Sequence, residues 1–273
     1  MIKWCAYCQQ FITEIEPFDD FRVSDGVCRS CLPKVAILGR VDIDALAGII
    51  DFYTSLDYIA LSEELPDIDA ILAESRRLGI RPLDMMVGVL QPLLAKVGDM
   101  WSAGELSVAS EHRITAMVAD LLIGLRETRK PRGREQKPRV ILINAENNYH
   151  TLGLTMAEVY FASYGIPALT VVPGLPTAEI LDLVARARPE VLGFSVALST
   201  QMAQVREVAG RLRPMPGRPK HFVVGGPAVR MGLNPDITLG IRVCKNLAEV
   251  VGLLNGSSLL DPLATIPRPD ARP

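Results

Sequence analysis

The sequence predicts a mixed α/β protein with a four-cysteine module, a four-helix bundle and a doubly wound parallel sheet, in that order along the chain. Three observations carry this prediction: two CxxC pairs near the N-terminus, helical spacing of apolar residues over 41–125, and short apolar runs that alternate with amphipathic segments over 139–256. The 273 residues, 49% of them hydrophobic, are enough for two packed domains and a small appendage.

The composition limits the classes of partner. The formal net charge of −2 argues against direct nucleic-acid binding, since such proteins usually carry a strong basic excess. No apolar run is long enough to cross a membrane, and the N-terminus lacks the basic start and apolar stretch of an export signal. We therefore expect a cytoplasmic protein without a membrane segment.

Four of the five cysteines form a metal-ligand pattern within residues 1–34, namely Cys5, Cys8, Cys28 and Cys31. CxxC pairs separated by about 15–20 residues are typical of zinc sites, in which four thiolates surround a tetrahedral ion. The alternative, disulfide pairing, is disfavoured in a cytoplasmic setting. The pattern is similar to small zinc-ribbon-like modules attached to bacterial signalling proteins, which implies a role in protein contact or dimerisation. We expect this module to lie apart from any cofactor site.

Residues 41–125 are predicted to form the bundle. The expected helices are Leu46–Leu61, Ile68–Leu78, Leu83–Met100 and Ser107–Leu125. Pro92 lies inside the third helix and should kink it or create a local defect, because proline has no N–H for the helix ladder. The basic stretch 126–138 is predicted to be a linker, and the Pro-rich stretch 257–273 a flexible tail.

Residues 139–256 are predicted to form a Rossmann-like (flavodoxin-like) domain. The expected strands are Val140–Ile143, Ala168–Val172, Val191–Phe194 and Phe222–Val224, and amphipathic segments separate them. In such a domain, ligands bind beyond the carboxyl ends of the parallel strands. His150, Ser195 and the Gly225–Gly226 pair follow the first, third and fourth strands, so we expect them to form one binding site.

The loop after the first strand, Asn148-x-His150-x2-Gly153, resembles the His-x-x-Gly loop of cobalamin-binding domains. The resemblance implies that His150 is the lower axial ligand of cobalt, in a base-off, His-on complex held between the bundle and the sheet domain. An imidazole suits this role because it is a neutral, borderline donor at physiological pH. The resemblance also implies that the detached nucleotide tail is received by Gly153, Ser195, Leu198, Ser199, Gly225 and Gly226.

One position departs from that family. Its members commonly have Asp or Glu two residues before the histidine, where this chain has Asn148. A carboxylate there orients the imidazole and raises its basicity. A neutral amide can orient the ring but pushes less charge onto it, so we expect a weaker axial bond.

The bundle carries Trp101, then nine residues, then Glu111 and His112. This W-x9-EH pattern resembles that of light-sensing, adenosylcobalamin-dependent repressors. The resemblance implies that Trp101 lies over the upper face of the corrin and that Glu111 and His112 face the same cavity. Those repressors have a histidine directly after the tryptophan, which captures cobalt after photolysis. Here that position is Ser102, a poor ligand, so the photoproduct is expected to be a water adduct or a bis-histidine adduct made by His112.

Together these motifs favour a non-enzymatic cobalamin sensor that responds to adenosylcobalamin and light. It would signal by changing its association with a regulatory protein or with a second copy of itself; a helix-turn-helix pattern is absent from the sequence, so direct operator binding is not expected. One alternative is a corrinoid methyl carrier for a methyltransferase system, although a Trp cap would hinder access of two enzymes to the upper face. The other is a heme sensor on the same fold, although heme has no nucleotide tail.

Overall fold

The structure of the chain, a computed structural model, describes residues 1–6, 8–32, 46–62, 65–127, 137–233 and 239–256. Most of the predicted linker 126–138 and the whole predicted tail 257–273 lie outside these residues. The chain divides into two compact units, Met1–Pro131 and Arg132–Pro273. No helix within the described ranges is long and apolar enough to cross a membrane.

The first unit begins with a three-stranded sheet. Its central strand, β1 (Ile2–Cys5), is antiparallel to β2 (Phe11–Glu14) and parallel to β3 (Val23–Gly26). Because β1 and β3 run in the same direction, their carboxyl ends lie side by side. Each of these ends leads into one of the two CxxC pairs, so the sheet brings the four cysteines together.

The helices of the first unit follow at the four predicted positions. They are α1 (Ala47–Leu61), α2 (Ile68–Arg77), a third helix divided into α3 (Pro82–Met85), a π-helical turn (Met86–Leu90) and α4 (Gln91–Ser102), and finally α5 (Val108–Glu127). The apolar residues at helical spacing form the core, with Leu56, Leu93, Ile114 and Leu121 buried. The interruption of the third helix is the local defect that Pro92 predicts.

The second unit is a five-stranded parallel sheet. The strands are β4 (Val140–Asn144), β5 (Ala168–Val171), β6 (Val191–Ser195), β7 (His221–Gly225) and β8 (Ile241–Val243). Their spatial order is β5-β4-β6-β7-β8 with every pairing parallel. This is the flavodoxin-like order, and it confirms the predicted fold class.

Helices connect these strands and cover the sheet. They are α6 (Leu152–Ser163), α7 (Thr177–Ala187), α8 (Met202–Leu212), the short α9 (Pro227–Arg230) and α10 (Leu247–Leu254). α6 packs against α10 and α7 packs against α8, which is why the central strands read as unbroken apolar runs rather than alternating ones. The sequence analysis missed β8, because this strand has only three residues and Arg242 interrupts its apolar pattern.

Candidate functional site

The carboxyl ends of three neighbouring strands form one edge of the second unit. β5 lies on one side of β4 and β6 on the other, so the connections that leave β4 and β6 diverge and open a crevice between them. The strand register sets Asn144 beside Ser195, and Ser195 beside Gly225. The positions that the sequence singled out after the first, third and fourth strands therefore share one edge.

Asn148 joins the loop of His150 to strand β6. The Asn148 side chain is buried, and its Nδ2 donates a 2.9 Å hydrogen bond to the carbonyl of Ser195. Its Oδ1 accepts a 3.0 Å bond from the backbone N–H of His150 and lies 3.1 Å from the His150 Nδ1. In the tautomer that donates from Nδ1 to this oxygen, the lone pair on Nε2 is free. Because the His150 side chain is also exposed, Nε2 is available to a metal.

A second buried amide, which the sequence analysis did not single out, holds the same loop. Asn144 is fully buried at the end of β4, and its Nδ2 donates to the carbonyls of Asn148 at 3.0 Å and His150 at 3.3 Å. Its Oδ1 is buried and has no hydrogen-bond partner among the described residues. The signal in the sequence was a polar residue directly after the apolar run of a central strand.

Two glutamines fix the neighbouring loops. The Gln201 Oε1 accepts from the backbone N–H groups of Ala197 and Leu198. Gln204 accepts a 2.7 Å bond from the N–H of Glu146 and donates to a backbone carbonyl in the loop before α7. Both glutamines are buried and lie one helical turn apart on a face that is otherwise apolar. Polar residues on an apolar helix face were the signal in the sequence that these side chains bind buried backbone groups.

Glycine is required by the backbone next to Ser195. Gly226 has φ +104°, and a Cβ there would lie 2.7 Å from the carbonyl of Val196 and 3.1 Å from the Ser195 Oγ. A Cβ on Gly225 would lie 2.9 Å from the carbonyl of Cys244. The space beside the Ser195 hydroxyl therefore stays free of side chains.

The remaining predicted tail-binding residues line open space. A Cβ on Gly153 would meet nothing within 4 Å, and Leu198 and Ser199 are exposed. A glycine that the sequence analysis missed, Gly174, comes closest to the backbone at this edge, since a Cβ there would lie 2.4 Å from the Asn144 carbonyl.

The W-x9-EH residues lie in the first unit, where two consecutive helices carry them. Trp101 is in the last turn of α4 and is 51% exposed, so it is not part of the core. Glu111 is in the first turn of α5, and His112 directly follows it. The Glu111 carboxylate bonds the His112 Nδ1 and also accepts from Thr115 at 2.8 Å. His112 is exposed, so its Nε2 is available to a ligand.

The four N-terminal cysteines form a compact cluster in the first unit. Their sulfur atoms all lie within 4.8 Å of one another, none is in a disulfide, and the Sγ atoms of Cys8 and Cys28 are 3.7 Å apart. Tetrahedral zinc with Zn–S bonds of about 2.3 Å requires a sulfur–sulfur separation of about 3.8 Å. The cluster therefore has the dimensions of a four-thiolate metal site.

The electrostatics of the cluster also fit a cation. A hydrogen bond with Cys5, followed by burial, raises the pKa of the Cys8 thiol far above its usual value. Burial, followed by a hydrogen bond with Cys28, raises the pKa of Cys31 to about 11. Thiolates packed this closely repel one another, and a divalent cation removes that penalty by binding all four.

The glycine geometry leads to a prediction about stability. Gly226→Ala should lower the free energy of unfolding by about 1–3 kcal/mol, because it forces a Cβ against the backbone at a positive φ. Gly153→Ala is the matched control and should change stability by less than about 0.5 kcal/mol, since its Cβ would point into open space. Urea denaturation of both variants measures the difference, and equal midpoints would contradict the geometry.

Comparisons with known proteins agree with this architecture. Two family models, each described as a B12 binding domain, match residues 64–123 and 138–232, together more than half of the chain. The HTH-type transcriptional repressor CarH of Myxococcus xanthus is 29% identical over 163 residues, which are 60% of this chain and 52% of the relative. The match thus spans about half the length of that curated relative.

A solved structure has a similar fold. The monomethylamine corrinoid protein of Methanosarcina barkeri matches with a TM-score of 0.61 and 17% sequence identity, over 75% of this chain and 97% of that chain. Its likeness extends the fold assignment beyond the matched sequence segments. With both B12 binding domains present in order, the chain belongs to the B12-binding proteins.

Proposed function

We propose that this protein is a regulatory cobalamin sensor that holds adenosylcobalamin base-off, with His150 below the cobalt and Trp101 above the corrin. The observation that carries the proposal is the exposed His150 imidazole, whose Nδ1 lies 3.1 Å from the Oδ1 of the buried Asn148. In the tautomer that donates from Nδ1 to this oxygen, Nε2 is free to bind cobalt. Cobalamin supplies a photolabile cobalt–carbon bond when its upper ligand is adenosyl. The chain would supply the axial imidazole, the space for the nucleotide tail, and the bundle helices whose packing changes when the upper ligand is lost.

The lower half of the proposed site is suited to the nucleotide tail. Ser195 presents a hydroxyl beside a space that Gly225 and Gly226 keep clear, and this combination suits a displaced benzimidazole base. Gly153, Leu198 and Ser199 are the exposed residues that would contact the rest of the tail. A heme has no such tail, and this favours the corrinoid over the heme alternative.

The bundle supports a sensor rather than a methyl carrier. Trp101 exposes about half of its surface at the end of α4, where a flat aromatic ring can cover the corrin, whereas a carrier must open that face to two enzymes in turn. The likeness to the transcriptional repressor CarH supports a regulatory output. Signalling then requires a protein partner, or a second copy of this chain, that binds the dark and lit states with different affinity.

His112 is the proposed ligand after photolysis. Its Nδ1 is bonded by the Glu111 carboxylate, an arrangement that parallels Asn148 and His150 but with a charged partner. A carboxylate raises the basicity of a ligating imidazole more than an amide does. Ser102 is a poor substitute, since its hydroxyl already donates to the Gly98 carbonyl at 2.8 Å.

We also propose that Cys5, Cys8, Cys28 and Cys31 bind one zinc ion. The separation of their sulfurs suits tetrahedral zinc, and a unit this small needs metal to hold its fold.

Replacing the axial ligand tests the core of the proposal. His150→Ala should weaken cobalamin affinity about tenfold or more and shift the absorption spectrum to a water-ligated form, because the nitrogen donor is lost. His221→Ala is the matched control, since His221 begins β7 at the opposite edge of the sheet. Spectral titration measures both variants, and a parent-like His150→Ala would refute the assignment.

Metal analysis tests the cysteine site. Protein purified without added metal should contain about one zinc per chain. Cys28→Ser should lose the metal, whereas Cys244→Ser should keep it, because Cys244 is a buried cysteine of the other unit. Protein that contains no zinc and has the four cysteines paired as disulfides would contradict the proposal.

Illumination tests the sensor role. In the dark the protein should bind adenosylcobalamin, and light should cleave the cobalt–carbon bond and give the spectrum of a bis-histidine adduct. His112→Ala should give a water adduct instead, while Ser102→Ala should behave like the parent. An unchanged product in His112→Ala would exclude His112 as the ligand. A protein that refuses adenosylcobalamin but accepts methylcobalamin and donates its methyl group would be a carrier, not a sensor.

A further inference from the structure

The helix that carries Trp101 is interrupted by the π-helical turn Met86–Leu90. The central residue of this turn, Gly88, lies thirteen residues before Trp101. The N–H of Gln91 donates to the Met86 carbonyl, five residues back, instead of four. Pro92 has no N–H to donate to the Gly88 carbonyl, and its ring would crowd that carbonyl in a regular α-helix. Such turns carry one extra residue and often occur at functional positions.

The four-cysteine module packs directly against this defect. Gly88 is buried, and a Cβ there would lie 2.8 Å from ring atoms of both Trp4 and Phe11. Trp4 is fully buried and meets Phe11 edge to face, with ring centroids 6.1 Å apart. Two aromatic rings from β1 and β2 therefore rest on the backbone of the π-helical turn, which only glycine permits.

The same strand that contacts the bundle also supplies a metal ligand. Trp4 and Cys5 are consecutive residues of β1, and the N–H of Cys28 donates to the Cys5 Sγ at 3.4 Å. The position of the Trp4 ring therefore depends on where the cysteine cluster holds the end of β1.

A polar junction links the helix after the defect to the same region. Lys96 on α4 forms a 2.6 Å ion pair with Asp57 on α1. One helical turn from Asp57, Tyr53 is buried, and its pKa is raised by burial, by Asp57 and by Glu14 on β2. An ion pair therefore joins α4 to α1, and Tyr53 of α1 lies close enough to Glu14 of the module to feel its charge.

We propose that metal binding by the four cysteines regulates cobalamin binding, by holding the π-helical turn in place and thereby fixing the orientation of Trp101. Without metal a unit of this size loses its fold, and Trp4 and Phe11 no longer support the turn. Pro92 still prevents a regular α-helix at this point, so an unsupported turn is free to change its bend. A change of bend would move Trp101, which lies at the far end of α4. This inference rests on the proposed role of Trp101 above the corrin.

The first test needs no cobalamin. Hydrogen exchange of the full, cofactor-free chain is compared with zinc bound and after removal of zinc by a chelator. Protection of segment 86–102 should fall about tenfold or more without zinc and return when zinc is added back. Helix α8, in the other unit, should not change. Equal protection of 86–102 in the two states would overturn the proposed coupling.

The second test measures cobalamin. Metal removal should lower affinity for adenosylcobalamin about tenfold, which is about 1.4 kcal/mol, and leave affinity for hydroxocobalamin within about twofold, since its small upper ligand does not need Trp101. Equal loss of both affinities, or of neither, would overturn the proposal. If the parent binds no adenosylcobalamin at all, the proposed function fails, while the exchange measurement still decides whether the module controls the helix.

A variant can alter the contact between the module and the π-helical turn while leaving the metal site intact. Gly88→Ala should keep its zinc and still lose adenosylcobalamin affinity, because its Cβ would displace Trp4 and Phe11. Gly210→Ala is the matched control, a helical glycine of α8 whose Cβ would meet nothing within 4 Å. Should Gly88→Ala fail to fold, Phe11→Ala removes the contact from the module side without adding atoms. Parent-like adenosylcobalamin affinity in the folded, zinc-bound variant would contradict the proposal.

Discussion

The side-chain amide of Asn148 is the interaction on which the edge of the sheet depends. It is buried, and its Nδ2 donates to the Ser195 carbonyl at the end of β6. Its Oδ1 accepts from the backbone N–H of His150 and lies 3.1 Å from the ring Nδ1 of the same residue. A buried amide left unpaired would cost about 1–3 kcal/mol, so the loop and the strand end are held in one arrangement. Asn144 also holds this loop, because its Nδ2 donates to the carbonyls of Asn148 and His150. The loop that carries the exposed His150 imidazole is therefore held in place by buried hydrogen bonds.

The neutrality of this support has chemical consequences. An amide can orient an imidazole as a carboxylate does, but it pushes less charge onto the ring, so the axial bond of the proposed complex would be weaker. The opposite arrangement occurs on α5, where Glu111 gives His112 a charged partner. In the proposed sensor, the dark state is thus held by the weaker imidazole and the lit state gains the stronger one. That difference gives the two states different stabilities, which signalling by population shift requires.

The sequence predicted the fold well where local patterns decide it. In the five-stranded parallel sheet, the ends of four strands fell within one residue of the prediction, and the Pro92 defect was foreseen, because apolar runs and prolines act locally. The three strands of the N-terminal sheet were not predicted. The contact of Trp4 and Phe11 with Gly88 was not foreseen, and neither were the amides of Asn144, Gln201 and Gln204. The contacts with Gly88 and the bond between Gln204 and Glu146 join residues that are distant in sequence. The bonds of Asn144 and Gln201 are local, but they depend on loop conformations that apolar periodicity does not predict. The expectation that the cysteine module lies apart from any cofactor site stays a prediction, although the module does contact the bundle at Gly88.

The central claim is that a protein imidazole replaces the benzimidazole of cobalamin below the cobalt. Electron paramagnetic resonance of the cobalt(II) form tests it most directly, with protein labelled uniformly with ¹⁵N and cofactor left unlabelled. If His150 is the ligand, each cobalt line splits into a doublet from ¹⁵N, and His150→Ala abolishes the splitting. A triplet from ¹⁴N would mean that the cofactor keeps its own base, and the account of this site would be wrong.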